Sequence, residues 1–356
     1  MINTMVQTYF LALTGGQSYK SDDKFLALKK NLGNYSIFQT DNFDTNIYIS
    51  INHNSSTLES FLKSNSKNKV LILIRLEPFV VFPAQYSKNI EAMYTLVITP
   101  GSVADFTSRD FFVGWPHSFQ ANPASPTIDQ NNDYLQLQGN STGKSLEIWK
   151  KRKISCSMIA ANKVSPIAEA NYSLRRFIAM NSSPELLEVY GPLWNESIYK
   201  KLIHRLKVVL FNLRNRTCVD TKSIYGDLFR KYKTAKGFVP NKYSILSESR
   251  FSLVIENCME YVSEKLLDTI YAGSIPIYLG PRLEEVGLPA DIAFQLDSYS
   301  INTITNILKM EDERVLTYLG SGQSFLQSDL YKNFWTENSV YTKIADEIFD
   351  FTQGKR

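Results

Sequence analysis

Between Arg250 and Pro281 the chain reads RFSLVIENCMEYVSEKLLDTIYAGSIPIYLGP, and this run leaves little choice of local architecture. Phe251 to Ile255 and Ile275 to Leu279 are short, apolar and partly β-branched, as strands buried on both faces of a parallel sheet are. Between them Ser263 is placed to cap a helix whose apolar positions Leu266, Leu267, Ile270 and Tyr271 follow the helical period. Gly273 falls where a helix end favours a residue that tolerates positive φ. The unit reads strand, acidic loop, helix, strand. The carboxyl end of its first strand delivers Glu256, Asn257, Tyr261, Glu264 and Lys265 to one place, the edge at which open α/β sheets bind ligands.

Lys265 is the unusual residue of the set. A lysine in the first helical turn opposes the helix dipole, at a cost of roughly 0.3–1 kcal/mol if nothing compensates. A phosphate at the helix N-terminus would compensate, since backbone N–H groups and the ammonium would face one anion. The alternative is a surface ion pair with Glu264 or Glu260. Glu256 and Asn257 end a buried strand. A glutamate there either faces a ligand or binds backbone N–H groups, because a buried unpaired carboxylate is costly.

With 356 residues the chain exceeds a usual single core, and two domains are expected. The cysteines, Cys156, Cys218 and Cys258, are widely spaced and form neither a CxxC nor a zinc pattern, which points to reduced thiols in a cytoplasmic protein. No stretch of about 18 apolar residues is present, so no membrane span is expected. The first residues, MINTMVQTYFLALTGG, lack a basic start and a signal-length apolar run. The net charge of +4 is uneven: residues 144–250 hold 21 Lys and Arg against 8 Asp and Glu. The basic residues are scattered through apolar periodic sequence, not gathered in an arm, so nucleic acid is not the expected partner. A nucleotide diphosphate, a polyanionic glycolipid met by peripheral membrane contact, and a plain solvated surface all fit.

Strand and helix signals alternate. Val70 to Arg75 (VLILIR) is the clearest strand of the first part, followed by Leu76-Glu77-Pro78, with apolar runs at Phe79 to Phe82 and Tyr94 to Ile98. Ser118 to Gly143 is rich in Asn, Gln, Pro and Ser and reads as loop. In the second part the candidate strands are Ile154 to Ala160, Glu188 to Tyr190, Phe251 to Ile255, Ile275 to Leu279 and Ala293 to Leu296, with a helix near Ser197 to Leu213. Gly320-Ser321-Gly322 reads as a loop, and Asp329 to Arg356 as a helix burying Trp335, Val340, Ile344 and Ile348. The expected domains are residues 1–150, residues 151–330 and a helical tail, 331–356. Such alternation argues parallel sheets with a nucleotide site at a switch point. No Asp-x-Asp and no His/Cys/Asp cluster with metal spacing occurs, so no cofactor is expected to be required and a divalent cation at most to stimulate.

The strings Glu256-Asn257, Tyr261-Val262-Ser263-Glu264-Lys265 and Pro276-Ile277-Tyr278-Leu279-Gly280 resemble the signature of the α-1,3/1,4-fucosyltransferase family, inverting enzymes that transfer L-fucose from GDP-fucose. The loop between Asn257 and Tyr261 is shorter than the family pattern. The resemblance implies an α/β fold of two Rossmann-like domains facing a cleft, the GT-B-type glycosyltransferase architecture. The first domain would take an oligosaccharide or glycolipid acceptor and the second the GDP-fucose donor. It implies glycan or protein glycosylation, with transfer to a hydroxyl of a GlcNAc-type residue in α-1,3 linkage. Animal and plant relatives carry a Golgi anchor, so a chain without one is expected to be a cytoplasmic, bacterial or viral form.

Inverting transfer needs a base for the acceptor hydroxyl and cations for the leaving diphosphate. Glu77 follows a strand at its carboxyl edge and resembles the family's catalytic base, although the family's Ser before the proline is missing. Its alternative is an ion pair with Arg75. For the diphosphate, Lys265 is joined by Arg175 or Arg176, since Ile154 to Arg176 resembles the family's strand, turn and arginine-bearing helix. A guanidinium fork suits two phosphate oxygens. Lys163 is a further candidate. Glu264 is expected to accept hydroxyls of ribose or sugar, with Tyr261 beside it, and Glu256, Asn257 and Ser263 complete the donor-binding set. Trp115 in its GWPH turn, or Trp194, could line an acceptor groove or simply pack in a core. A transferase using another nucleotide sugar, and a non-catalytic carbohydrate-binding protein, are the competing readings.

Overall fold

Strands separated by helices return to their sheet in the same direction, and every strand pairing among the described residues is parallel. The computed structural model describes residues 7–13, 25–64, 68–99, 142–165, 167–214 and 228–354. The chain divides into two units: residues 1–116 with 333–356, and residues 117–332.

The first unit carries β1 (Gln7–Leu13), β2 (Ile37–Thr40), β3 (Ile47–Ile51), β4 (Val70–Ile74) and β5 (Leu96–Ile98), in the order β2-β1-β3-β4-β5. That is a doubly wound order whose switch point lies between β1 and β3. Side-chain alternation along the strands feeds two cores. Ile47, Ile49, Ile51, Ile72 and Ile74 pack with Leu28 and Leu32 on one face, while Tyr48, Leu71 and Leu73 meet Leu58 and Phe61 on the other. The Glu337–Thr352 helix closes the first face through Val340, Ile344 and Ile348. The expected tail is therefore a structural element of the first unit. It is also two helices, Asp329–Phe334 and Glu337–Thr352, the second started by Thr336 Oγ1 accepting from Ser339 N at 3.2 Å.

The second unit carries β6 (Ile154–Ile159), β7 (Glu188–Tyr190), β8 (Ala235–Gly237), β9 (Ser249–Ile255), β10 (Ile275–Leu279) and β11 (Phe294–Gln295). Their order, β11-β10-β9-β6-β7-β8, is that of a Rossmann sheet, with the switch point between β6 and β9. The Thr142–Lys150 helix also belongs here, which moves the expected boundary at 150 towards the N-terminus. The reason is Trp149, whose ring stands edge-on to Phe251 at 5.2 Å and whose Nε1 donates to Arg250 O at 2.7 Å. The apolar run Phe79 to Phe82 is a turn, and Gly320 to Gly322, expected as a loop, lies inside the Asp312–Gln327 helix. Gly322 lets that helix approach the Glu264–Tyr271 helix, since a Cβ there would lie 2.9 Å from Ile270 Cγ2.

Arg152 ties the sheet to its helices. Its buried guanidinium donates to Leu246 O at 3.3 Å, Ser249 O at 2.8 Å and Ala272 O at 2.8 Å, holding the ends of two helices and the start of β9. Burial lowers its pKa to about 10, which leaves it charged at neutral pH. Arg152→Leu strands three buried carbonyls and should cost about 2–4 kcal/mol of unfolding free energy in a denaturant titration.

Candidate active site

The switch point of the second unit is held together by side chains that reach backbone. β9 ends at Ile255, and Arg175, on the Tyr172–Asn181 helix that follows β6, donates through Nη2 to Ile255 O and to Asn257 Oδ1, the latter at 3.0 Å. Asn171, at the N-terminus of the same helix, donates N–H to Asn257 O at 2.9 Å and Nδ2 to Glu256 O at 3.2 Å. The turn after β9 is thereby pinned to the turn after β6. Arg175 is 3% exposed, and burial lowers its pKa. Arg176 turns elsewhere: its Nη1 donates to Lys163 O at 2.6 Å, and the Lys163 side chain is exposed. Of the two arginines, Arg175 is the one brought to the Glu256–Asn257 turn.

Glu256 is fully buried. Of the two alternatives open in the sequence, its Oε1 takes the backbone one and accepts from Ser263 N at 2.9 Å. This fixes the entry to the Glu264–Tyr271 helix. Burial pushes the Glu256 carboxyl up, with Lys265 opposing. Oε2 and the buried hydroxyl of Tyr278 have no hydrogen-bond partner among the described residues. Both flank Gly280, where a Cβ would lie 2.7 Å from Glu256 Cγ and run into Tyr278 Oη. Only glycine fits between them.

Ser263 caps the helix as its position predicts, its Oγ accepting from Lys265 N at 3.4 Å. Lys265 curls back so that Nζ donates to Ser263 Oγ at 2.8 Å, which places the ammonium at the helix start. The surface ion pair with Glu260 or Glu264 does not form among the described residues. For Glu264, burial raises the carboxyl, but Lys265 and then Lys242 outweigh it and hold the group below its ordinary range. Lys242 in turn is ion-paired with the buried Asp268. Tyr261 is buried in the same turn, and Cys258 is a buried thiol that burial pushes up to about 11, out of range for a nucleophile.

Glu77, half-buried, belongs to the first unit, just beyond β4. Its N–H donates to Asn52 Oδ1 at 3.0 Å, and its carbonyl accepts from Gln85 Nε2 at 2.9 Å and Tyr86 Oη at 3.0 Å. Arg75 forms its ion pair with Glu91 at 3.8 Å and donates to Gln85 O at 2.7 Å. Asn52, Gln85, Asn171 and Lys242 were not singled out in the sequence. Asn52 alone carried a signal, as an asparagine directly after an apolar run, IYISI. Trp194 packs in the core, edge-on to Tyr232 at 5.0 Å, and Trp115 lies outside the described residues. Among the described residues no helix is long and apolar enough to cross a membrane, and no group of three His, Cys, Asp or Glu could hold a metal.

Set beside known proteins, the fold is that of GT-B-type glycosyltransferases, two parallel-sheet α/β units. A solved structure of an alpha1,3-fucosyltransferase with GDP aligns over 100% of this chain and 93% of its own, with a TM-score of 0.50 at 16% identity. By sequence, the 4-galactosyl-N-acetylglucosaminide 3-alpha-L-fucosyltransferase 9 of Bos taurus is 35% identical over 100 residues, and that of Homo sapiens 34%. The match spans 27% of this chain and 27% of those curated relatives. No family model matches the chain. The relatives support the α-1,3-fucosyltransferase family, the one that the segment from Glu256 to Gly280 resembles.

The buried Glu256 makes a pH prediction. A carboxyl whose pKa is higher folded than unfolded binds more protons in the native state, so stability falls as pH rises from the ordinary glutamate range through the raised value. Glu256→Gln keeps an oxygen for Ser263 N–H and removes the titration. Thermal melts from pH 4 to 8 should show that fall in the wild type and a flatter profile in the variant.

Proposed function

We propose that the protein is an inverting fucosyltransferase that moves L-fucose from GDP-fucose to a hydroxyl of an acceptor glycan, in α-1,3 linkage to a GlcNAc-type residue. The observation that carries the reading is the start of the Glu264–Tyr271 helix, where the helix N-terminus, the Lys265 ammonium and the Arg175-pinned turn meet beside a Rossmann switch point. An anion there offsets the cost of a lysine in a first helical turn, and the leaving group of this reaction is a nucleoside diphosphate. In this reading Lys265 and Arg175 receive the charge that develops on the β-phosphate, and Glu264, held ionised by its lysine neighbours, accepts hydroxyls of ribose or fucose.

Glu77 takes the proton from the acceptor hydroxyl as that oxygen bonds to the anomeric carbon. The bond from that carbon to the phosphate oxygen breaks, and GDP leaves with its electron pair. The donor's anomeric configuration is inverted by this single displacement. Oligosaccharide or glycolipid acceptors, a cytoplasmic setting with peripheral membrane contact, and independence from a required metal belong to the same proposal and rest on the sequence.

Lys265→Ala should weaken GDP binding about 10- to 100-fold, the loss of one or two charge-assisted contacts, in titration calorimetry. Unchanged affinity with an intact fold would refute the phosphate assignment. Glu77→Gln should bind GDP as the wild type does and lose transfer by at least about 100-fold. Full turnover in excess EDTA is expected, and complete loss restored by a divalent cation would contradict metal independence.

A further inference from the structure

The backbone of Glu77 is bonded at both of its polar groups by buried side chains. Asn52 Oδ1 accepts from Leu76 N at 2.9 Å and from Glu77 N at 3.0 Å, and it stands 3.4 Å from Gln85 Nε2. Gln85 Nε2 and Tyr86 Oη close on the carbonyl of Glu77. The frame is itself braced. Asn52 N donates to Ile74 O at 2.8 Å, Ser50 Oγ to Asn52 O at 2.6 Å, and His53 N to Gln85 Oε1 at 3.2 Å. Asn52 has φ of 55°, a left-handed conformation that asparagine tolerates better than most residues, and this turns its side chain across the exits of β3 and β4. A loop that only joined β4 to the next turn could leave these groups to water. Here Gln85 is fully buried and Asn52 is 8% exposed, while the residue they hold carries the half-buried carboxylate.

We propose that Asn52, with Gln85 as its brace, is a positioning residue that fixes the Glu77 peptide so that the carboxylate meets the acceptor hydroxyl in one orientation. The inference rests on the reading of Glu77 as base. A base displaced by about 1 Å loses on the order of 100-fold in rate, so a rigid peptide under the carboxylate has a direct catalytic consequence. Among the described residues the charged and titratable groups around the frame include Arg75 with its partner Glu91, the Tyr86 hydroxyl, and His53, which is bonded to Tyr94 Oη at 2.9 Å and whose pKa is lowered by burial.

The test is a pair of substitutions in the full chain, with GDP release from GDP-fucose and N-acetyllactosamine as the readout. Asn52→Gly preserves the left-handed backbone and removes Oδ1. It should lower kcat about 10- to 100-fold while donor KM and GDP affinity stay within about twofold. Asn52→Asp keeps an acceptor for both N–H groups but puts a negative charge beside Glu77. That charge raises the Glu77 pKa, so the acidic limb of the kcat/KM profile should move up by about one pH unit, with activity recovering above it. A purely structural role would lower Tm in both variants and leave the limb in place. Wild-type kcat in Asn52→Gly, or an unmoved limb in Asn52→Asp, with Glu77→Gln inactive, overturns the Asn52 proposal alone. Full activity in Glu77→Gln removes the base assignment, and the proposal falls with it. Should Asn52→Gly not fold, the position of the limb in Asn52→Asp decides.

Discussion

Arg175 is the residue on which the second unit's site depends. From the helix after β6, its one Nη2 group reaches the last carbonyl of β9 and the side chain of Asn257. β6 and β9 are paired from Ile154 to Ser157 and from Ser249 to Ser252, and beyond that pairing the connections of a parallel sheet part, one helix going to each face. A buried guanidinium that reaches across costs desolvation and is retained where its donors find acceptors. With Asn171 on the same turn, Arg175 makes Glu256 and Asn257 a fixed platform. Glu256 passes that rigidity to Ser263, and Ser263 to the helix start where Lys265 lies.

The first unit solves the same problem with neutral groups. There the turn after β4 hangs on Asn52 and Gln85, and Arg75 spends its charge on Glu91 and a carbonyl. The difference fits the proposed division of labour. A site for a leaving diphosphate gains from fixed cations, whereas a base needs a fixed orientation. Both sites stand at carboxyl ends of parallel strands, and in both most of the holding contacts are to backbone, which fixes the peptide that carries the functional side chain.

The strand–helix–strand segment was legible because each level agreed: β10 spans Ile275–Leu279 as expected, Ser263 caps, and Gly273 has φ of 68°. The first unit was much less so. β2 is the four residues IFQT at a sheet edge, and β3 is the five residues IYISI followed directly by a left-handed turn. Short strands of this kind carry no period that a window can detect, and they are set by pairing with partners far along the chain. β8, the tripeptide AKG, has no apolar signal at all. Gly320-Ser321-Gly322 looked like a loop because glycine is a poor helix former, and the packing of Gly322 against Ile270 overrides that preference. Of the proposed site residues, Glu77, Glu264 and Lys265 could be named from type and position. Asn52, Gln85 and Asn171 could not, since their meaning lies in which backbone groups they reach.

The central proposal is a single displacement at the anomeric carbon of GDP-fucose, with the nucleoside diphosphate as leaving group. Proton NMR of the product formed from GDP-β-L-fucose and N-acetyllactosamine tests it most directly. The account predicts a single new α-linked fucose on the GlcNAc hydroxyl, with GDP released in equal amount. A β-linked product, or no transfer from GDP-fucose while another nucleotide sugar is consumed, would contradict it.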